Sequence, residues 1–161
     1  MGAAVAGILA ALLSSVIEVM VMGGIPPMSR LDPVLFIILA VAPALEEGCK
    51  RGFARVFSAP WGLVGLYFGI LEGAGKLIGL EEGSGLGFVI SVMFHWGLGR
   101  HAQAGKWPLL VAIGTHLTYN LVAVGLQLLM GDASALVMLA VSGLILWASF
   151  QRRVDVRHGA P

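Results

Sequence analysis

Six polar side chains lie inside otherwise apolar stretches of this chain, and their types are those used in hydrolysis. They are three glutamates, two histidines and an asparagine: Glu46, Glu47, Glu72, His95, His116 and Asn120. An ionisable side chain in hydrocarbon costs about 2.5–3.5 kcal/mol on insertion scales, so each needs a structural or functional reason. The set is therefore a candidate catalytic site.

Hydrolysis of a peptide bond needs three kinds of group. A base activates water, hydrogen-bond donors stabilise the oxyanion, and an acid protonates the leaving amine. A carboxylate in a low-dielectric environment is a stronger base than one in water. Histidine and asparagine N–H groups can donate to an oxyanion. The residue types therefore fit hydrolysis by an activated water, with the histidines and the asparagine as donors to the oxyanion.

A catalytic zinc is the alternative for the same residues. Two histidines and a carboxylate would bind Zn²⁺ and keep one position open for water, and that set here is Glu72, His95 and His116. The His-Glu-x-x-His helix of many zinc proteases is absent from the sequence. Because the three residues also lie far apart in sequence, without the short spacing of many zinc sites, we favour the mechanism without metal.

Each polar residue also has a purely structural interpretation. Glu46 and Glu47 precede Lys50 and Arg51 by four positions, in the order that favours ion pairs on a helix. Glu72 stands in the same relation to Lys76. His95 could simply bond a neighbouring helix. His116 and Asn120, four apart, share a helix face and would form either a clamp between helices or the wall of a site.

The composition predicts the elements that carry these residues. Of 161 residues, 58% are apolar and 12% are charged, and the mean hydropathy is +0.91. Soluble domains carry roughly 25% charged residues, and a monomer of this length cannot bury so many apolar side chains. The composition excludes soluble and disordered proteins. It predicts an all-α, polytopic helical membrane bundle, one domain over residues 1–161.

Six apolar stretches are long enough to be transmembrane helices: Ala3–Met22, Pro33–Ala54, Trp61–Gly79, Gly85–His101, Pro108–Met130 and Ser134–Gln151. At about 1.5 Å per residue, the three glutamates and two histidines fall on four helices at depths of roughly 9–16 Å from one side. This agreement predicts that they converge on one site. Glu18 falls toward the opposite side of the membrane and is not expected in it.

Basic residues predict the orientation of the six spans. One side would hold both termini and these basic residues: Lys50, Arg51, Arg55, Arg100, Lys106, Arg152, Arg153 and Arg157. The other would hold only Arg30 and Lys76. The positive-inside rule therefore places both termini in the cytoplasm. The net charge of +1 gives no sign of nucleic-acid binding, and one cysteine, Cys49, excludes an internal disulfide.

Taken in order, the polar residues resemble the motifs of the PrsW group of membrane proteases: Glu46-Glu47-x-x-Lys50, Phe68-x-x-x-Glu72, His95 and His116-x-x-x-Asn120. That group belongs to the clan of type II CAAX prenyl endopeptidases and bacteriocin-processing (CPBP/Abi) proteins. Glu72 departs from the CAAX-type pattern, which has histidine there. The resemblance covers residues from about Val41 to Val124.

The resemblance implies an intramembrane endopeptidase of a prokaryotic plasma membrane, acting on a membrane protein or a membrane-anchored peptide. In that family picture Glu46 and Glu47 activate water, and the histidines and Asn120 bind or polarise the scissile carbonyl. Because the clan includes a non-proteolytic scaffold subunit, a silent scaffold or assembly factor is one alternative. A small proton-coupled transporter is another, since buried acids and histidines also form proton relays. The oligomeric state is left open.

Overall fold

A computed structural model describes residues 1–24, 37–78, 84–103 and 107–158, which form six α-helices and no strand. The helices are α1 (Gly2–Gly24), α2 (Ala42–Val56), α3 (Trp61–Ile78), α4 (Ser84–Gln103), α5 (Pro108–Met130) and α6 (Ser134–His158). A π-helical turn, Ile37–Val41, leads into α2, and a 3-10 turn, Gly131–Ala133, joins α5 to α6. The described chain is all-α, as the sequence predicts, and each helix overlaps one of the six apolar stretches.

Proline and glycine mark several helix ends. Pro43 lies in the first turn of α2 and Pro108 begins α5, since proline there sacrifices no helical hydrogen bond. Helix α5 ends at Gly131, whose φ of 58° favours a residue without a Cβ. Between α2 and α3, the N–H of Ala59 donates to the carbonyl oxygen of Ala54 at 2.8 Å and closes a tight turn. The sequence therefore fixes these boundaries locally.

Helices α3 and α4 approach each other through a strip of glycines. A Cβ on Gly69 would lie 2.7 Å from the carbonyl oxygen of Ser91, and one on Gly73 would lie 3.0 Å from the Cα of Phe88. Small residues at four-residue spacing let two helix backbones approach closely. This contact places the side chains of α3 directly beside those of α4.

The remaining helices surround this pair. Helix α1 packs against α2 and α3, α6 packs against α4, and α5 lies next to α2 and α4. The buried centre combines small and aromatic side chains: Ala6, Ala54, Trp61, Val64, Phe94, Leu98, Ala102 and Ala112. Large apolar side chains remain exposed on the outer faces, as on α1: Val16, Val19 and Met20. Such an apolar outer surface is typical of a protein in contact with lipid.

Two helical stretches, Gly2–Val21 and Pro108–Gln151, are long and apolar enough to cross a membrane. The second contains both α5 and α6. Helix α2 differs from a simple apolar span because charged residues crowd its 15 residues: Glu46, Glu47, Lys50, Arg51 and Arg55. The two stretches support association with a membrane, and the six crossings remain a prediction.

The structure revises one basis of the predicted orientation. Lys50 was expected among the basic residues flanking the membrane on the cytoplasmic side, but only 1% of its side chain is exposed. It lies inside the bundle because its helix face also carries acidic partners. Arg30 and Lys106 lie outside the described residues, as do the side chains of Arg152, Arg153 and Arg157. The orientation therefore remains a prediction.

Candidate functional site

Five of the six polar residues singled out in the sequence meet inside the bundle. Helix α2 contributes Glu46 and Glu47, α3 contributes Glu72, α4 contributes His95, and α5 contributes His116. Lys50 joins them from α2, one turn beyond the two glutamates. We call these six residues the polar cluster: Glu46, Glu47, Lys50, Glu72, His95 and His116.

A chain of hydrogen bonds connects the polar cluster. Nδ1 of His116 lies 2.9 Å from Oε1 of Glu47, which also accepts a hydrogen bond from the ammonium of Lys50. Nζ of Lys50 lies 2.8 Å from Nδ1 of His95. Nε2 of His95 lies 2.5 Å from Oε2 of Glu72. Four helices are thus joined by consecutive side-chain bonds.

The donors in this chain fix the protons on the histidines. An ammonium only donates, so Nδ1 of His95 accepts from Lys50 and its Nε2–H donates to Glu72. Both ring nitrogens of His95 are therefore used inside the cluster. His116 donates from Nδ1 to Glu47, so Nε2 is the atom that it can offer to a substrate. Nε2 of His116 can polarise a carbonyl only when the ring carries a second proton, whereas both ring nitrogens of His95 already have partners.

Glu72 ends the chain with three partners. Its Oε2 also accepts from the hydroxyl of Ser91 at 2.6 Å, and its Oε1 accepts from Nζ of Lys76 at 2.7 Å. The ion pair with Lys76 that the four-residue spacing predicts therefore forms. Ser91 precedes His95 by four residues on α4, so one helix face presents both groups to Glu72.

The two ion pairs expected along α2 have different outcomes. Nζ of Lys50 lies 3.8 Å from Oε2 of Glu46, but its closer carboxylate partner is Glu47, three residues away. The expected pair of Glu47 with Arg51 does not form among the described residues. The guanidinium of Arg51 instead lies 5.1 Å from the ring centroid of Trp61. The reason is that Glu47 faces the bundle centre, where His116 and Lys50 bind it.

Aromatic rings form the walls of the polar cluster. The rings of His95 and His116 are 5.2 Å apart at an angle of 69°. Phe68 meets His95 edge-on at 4.9 Å, and its face lies 4.2 Å from Nζ of Lys50. Phe94 packs against both histidines, at 5.1 and 5.0 Å. These contacts restrict the rotamers of the histidines and hold a cation over a ring face.

Glu46 differs from Glu47 in its partners and its access. Only 1% of the Glu47 side chain is exposed, and its Oε1 receives two hydrogen bonds. Oε2 of Glu46 is buried without a hydrogen-bond partner among the described residues, 3.9 Å from Nε2 of His95. Glu46 and Glu72 both line a cavity of about 380 Å³ between α1, α2 and α3. Glu46 is therefore the α2 carboxylate that a substrate in this cavity would meet.

Glu18 of α1 lines the same cavity, so its expected place away from the site is wrong. Glu18 lies 16 residues beyond the start of α1, and Glu72 lies 11 residues beyond the start of α3. At about 1.5 Å per residue this difference is only roughly 8 Å, which two glutamate side chains can span. The depth of Glu18 along α1 could not show whether it lines the cavity, because that also depends on how α1 packs against α2 and α3.

Asn120 lies one helical turn beyond His116 on α5, and its side chain is half-buried. Sequence reasoning missed three residues of the site: Lys50, Ser91 and Glu18. Lys50 follows the two glutamates by three and four residues. This spacing indicated an ion pair along the helix, but it could not indicate the hydrogen bond of Lys50 to His95. Ser91 offered the four-residue spacing to His95. Glu18 offered only its charge within an apolar stretch.

The donor atoms of four residues could approach a metal ion. One ligand atom from each of Glu46, Glu47, His95 and His116 lies within 4.8 Å of the others. Carboxylate oxygens and imidazole nitrogens are ligands that Zn²⁺ accepts. This set differs from the expected one, because Glu72 instead bonds Nε2 of His95, as outer carboxylates do at metal sites.

Lys50 weighs against a metal at this position. Its ammonium bonds Glu47 and Nδ1 of His95, two of the four donors, so a metal ion there would have to displace a positive charge. The four residues therefore fit a metal only with Lys50 moved aside. In the observed arrangement the lysine supplies the positive charge that balances the carboxylates.

Comparisons with protein-family models, curated proteins and solved structures found no match to this chain. The resemblance to PrsW-type proteases accordingly remains a prediction from motifs. The polar cluster itself has two features that chemistry could use. Glu46, which lines the cavity, has a buried carboxylate oxygen without a hydrogen-bond partner among the described residues, and His116 has only Nδ1 bonded within the cluster.

Proposed function

We propose that this chain is an intramembrane endopeptidase that hydrolyses peptide bonds of membrane-associated substrates with a water activated by Glu46. One observation carries the proposal: Oε2 of Glu46 is buried at the cavity without a hydrogen-bond partner among the described residues. Leaving a buried acceptor unsatisfied costs about 1–3 kcal/mol, so such groups call for an explanation. A role as the proton acceptor for a bound water explains this oxygen and also gives a function to the neighbouring Lys50 and His116.

Glu46 acts as the base in this mechanism. Its free oxygen takes a proton from water as the water oxygen attacks the carbonyl carbon, and Glu46 later gives that proton to the leaving amine. Glu47 is a positioning residue, since its Oε1 holds both His116 and Lys50. Lys50 keeps positive charge 3.8 Å from Oε2 of Glu46 and so stabilises the carboxylate form of the base.

His116 and Asn120 stabilise the oxyanion of the tetrahedral intermediate. With Nδ1–H donating to Glu47, His116 donates from Nε2 once its ring takes up a second proton, and the Asn120 amide lies one turn away on α5. His95 holds Lys50 and Glu72 in place and does not itself contact the substrate. The proposed chemistry uses no metal ion.

Six membrane crossings with cytoplasmic termini complete the proposal. The 44-residue stretch Pro108–Gln151 contains two helices separated by the turn Gly131–Ala133, and α1 has 23 residues. A membrane span needs about 20 residues, which the π-helical turn together with α2 also provides. Three of the charged side chains of α2, Glu46, Glu47 and Lys50, are tolerated in such a span because they pair with one another and with the histidines inside the polar cluster.

A catalytically silent scaffold is the second candidate, and the pairing within the polar cluster favours it. Glu47, Lys50, His95, Glu72 and Lys76 satisfy one another in one chain of bonds, as a structural network would. Such networks can serve to specify one packed arrangement of helices. The cavity at Glu46 has no role in a scaffold, and this is why we favour the enzyme.

Replacement of Glu46 tests the proposed function. The protein in liposomes is mixed with a degenerate library of apolar peptides in H₂¹⁸O, and mass spectrometry detects new carboxyl termini that contain ¹⁸O. We expect Glu46→Gln to fold like the parent but to lower the rate by ~10²–10⁴-fold, the usual value of a general base. The control is Asp132→Asn, which removes an exposed carboxylate outside the cavity. No ¹⁸O-containing products with the parent, or equal rates for Glu46→Gln, would favour the scaffold.

A further inference from the structure

The cavity beside Glu46 combines acidic and apolar walls. Its carboxylates come from three helices: Glu18 of α1, Glu46 of α2 and Glu72 of α3. The hydroxyls of Ser14 and Ser15 lie on the α1 side. Much of the rest of the wall is apolar: Ala11, Leu12, Phe68 and Leu71. With a volume of about 380 Å³, the cavity can hold one long side chain and the backbone next to it.

The carboxylates at this cavity outnumber the available cations. Lys76 bonds Oε1 of Glu72, and Lys50 bonds Glu47, a residue that does not line the cavity. Neither lysine makes a hydrogen bond or an ion pair to Glu18, which has no such partner within the described part of the chain. Oε2 of Glu46 also lacks a hydrogen bond. Two acceptors from different helices therefore line the cavity without a donor.

We propose that this cavity binds a lysine or arginine side chain of the peptide substrate, next to the scissile bond, and that Glu18 is the specificity-determining carboxylate. The inference rests on the proposed function, because it takes the cavity as the substrate site of that reaction. The chemistry of the walls fits a long basic side chain. Leu12, Phe68 and Leu71 would pack against the methylene stem, and Glu18 would receive the charged end.

The positions of Glu18 and Glu46 separate recognition from catalysis. Glu46 belongs to the polar cluster through its neighbours Lys50 and His95, at 3.8 and 3.9 Å. Glu18 lies on α1, which contributes no residue to the polar cluster. A basic side chain paired with Glu18 would direct the neighbouring peptide bond toward the free oxygen of Glu46. A neutral side chain would lose this attraction and leave Glu18 unpaired in an apolar wall.

Two matched peptides test the inference by binding as well as by cleavage. The probes are fluorescent, apolar 12-residue peptides with one central lysine or, in the partner peptide, norleucine, which has the same stem without the charge. Binding to the protein in liposomes is measured by anisotropy, and cleavage by mass spectrometry. We expect the parent to bind the lysine peptide about tenfold more tightly, and Glu18→Gln to abolish that preference. Asp132→Asn should keep it.

The outcomes separate the inference from the function on which it rests. Equal binding of the two peptides by the parent, or an unchanged preference in Glu18→Gln, would overturn the inference whether or not cleavage occurs. A lysine preference that depends on Glu18, without any cleavage by the parent, would support the site and contradict the proposed peptidase. Glu18→Lys is the second variant, and we expect it to bind the lysine peptide more weakly than the norleucine peptide; a retained lysine preference would also overturn the inference.

Discussion

Lys50 is the residue on which the polar cluster depends. Its ammonium is bonded to Glu47 and His95, lies 3.8 Å from Glu46 and stands over the ring of Phe68. A buried charge is tolerated only when its partners are close and well oriented, and removing one partner leaves the others uncompensated. Lys50 therefore contributes both to the stability of the bundle and to the arrangement of the site.

Replacing Lys50 should destabilise the protein far more than replacing Lys76. Lys50 and Glu47 are each 1% exposed, whereas Lys76 and Glu72 are 41% and 33% exposed. We expect Lys50→Met to lower the free energy of unfolding by about 3–5 kcal/mol, because it leaves a buried carboxylate unpaired. Lys76→Met should cost at most about 1 kcal/mol, as exposed pairs do. Unfolding in mixed micelles measures both, and equal losses would contradict the buried role of Lys50.

Chelation distinguishes the lysine-centred cluster from a metal site. The ammonium of Lys50 is bonded to Glu47 and His95, two of the four candidate metal ligands. We therefore expect the chelator 1,10-phenanthroline to leave the cleavage rate unchanged. A metal enzyme would lose activity with the chelator and regain it with added Zn²⁺. Loss and recovery of this kind would show that Lys50 moves aside for a metal.

At the scale of the elements, the contact between α3 and α4 sets the geometry of the site. Gly69 and Gly73 let the backbones approach, and this brings Glu72 within 2.5 Å of Nε2 of His95 and 2.6 Å of the Ser91 hydroxyl. A wider separation would break both hydrogen bonds at once. The close packing of α3 on α4 therefore determines the hydrogen bonds that Glu72 makes across the same contact.

A methyl group at Gly69 should move α4 and weaken the site. Its Cβ would lie 2.7 Å from the carbonyl oxygen of Ser91, a backbone atom that cannot rotate away. We expect Gly69→Ala to cost about 1–3 kcal/mol, as overpacking does, and to reduce cleavage. Gly125→Ala on α5 is the control, since nothing lies within 4 Å of its added Cβ. It should be neutral or stabilising by up to about 1 kcal/mol, and equal effects would argue against the packing role.

At the scale of the whole molecule, polar groups lie inside and apolar groups outside. The polar cluster joins four helices in the interior, and large apolar side chains are exposed on α1, α5 and α6: Val16, Val19, Leu121, Leu128, Leu144 and Trp147. Water is a poor solvent for such a surface, whereas lipid chains satisfy it. This distribution is what supports the proposed bundle of six spans.

Cysteine labelling tests the number of crossings and their direction. In a Cys49→Ala background, single cysteines are placed at Ser58, in the turn before α3, and at Asp132, in the turn before α6. The positive-inside rule predicts that an impermeant maleimide labels only the cysteine at Asp132 in intact cells. A third cysteine at Arg153 should be labelled only after permeabilisation. Labelling of the Arg153 position from outside would rule out the proposed topology.

The sequence by itself determined which segments are helices and which residues require explanation. Apolar stretches broken by Pro108 and Gly131 predicted helix ends that the structure places at the same residues. Charged groups inside such stretches predicted a site, because burying them without partners is too costly. Helical periodicity also predicted the pair of Glu72 with Lys76, since both lie on one turn of one helix. These properties depend on residues close together in the chain.

Only the tertiary structure decided how the polar groups pair and which of them face the cavity. Periodicity limits partners within a helix, but the rotation of each helix and its lateral neighbours depend on packing between distant segments. Lys50 therefore bonds His95 of α4, Glu46 lines the cavity whereas Glu47 does not, and Glu18 lines the same cavity from α1. Glycines at the α3–α4 contact and small side chains of α1 set those distances.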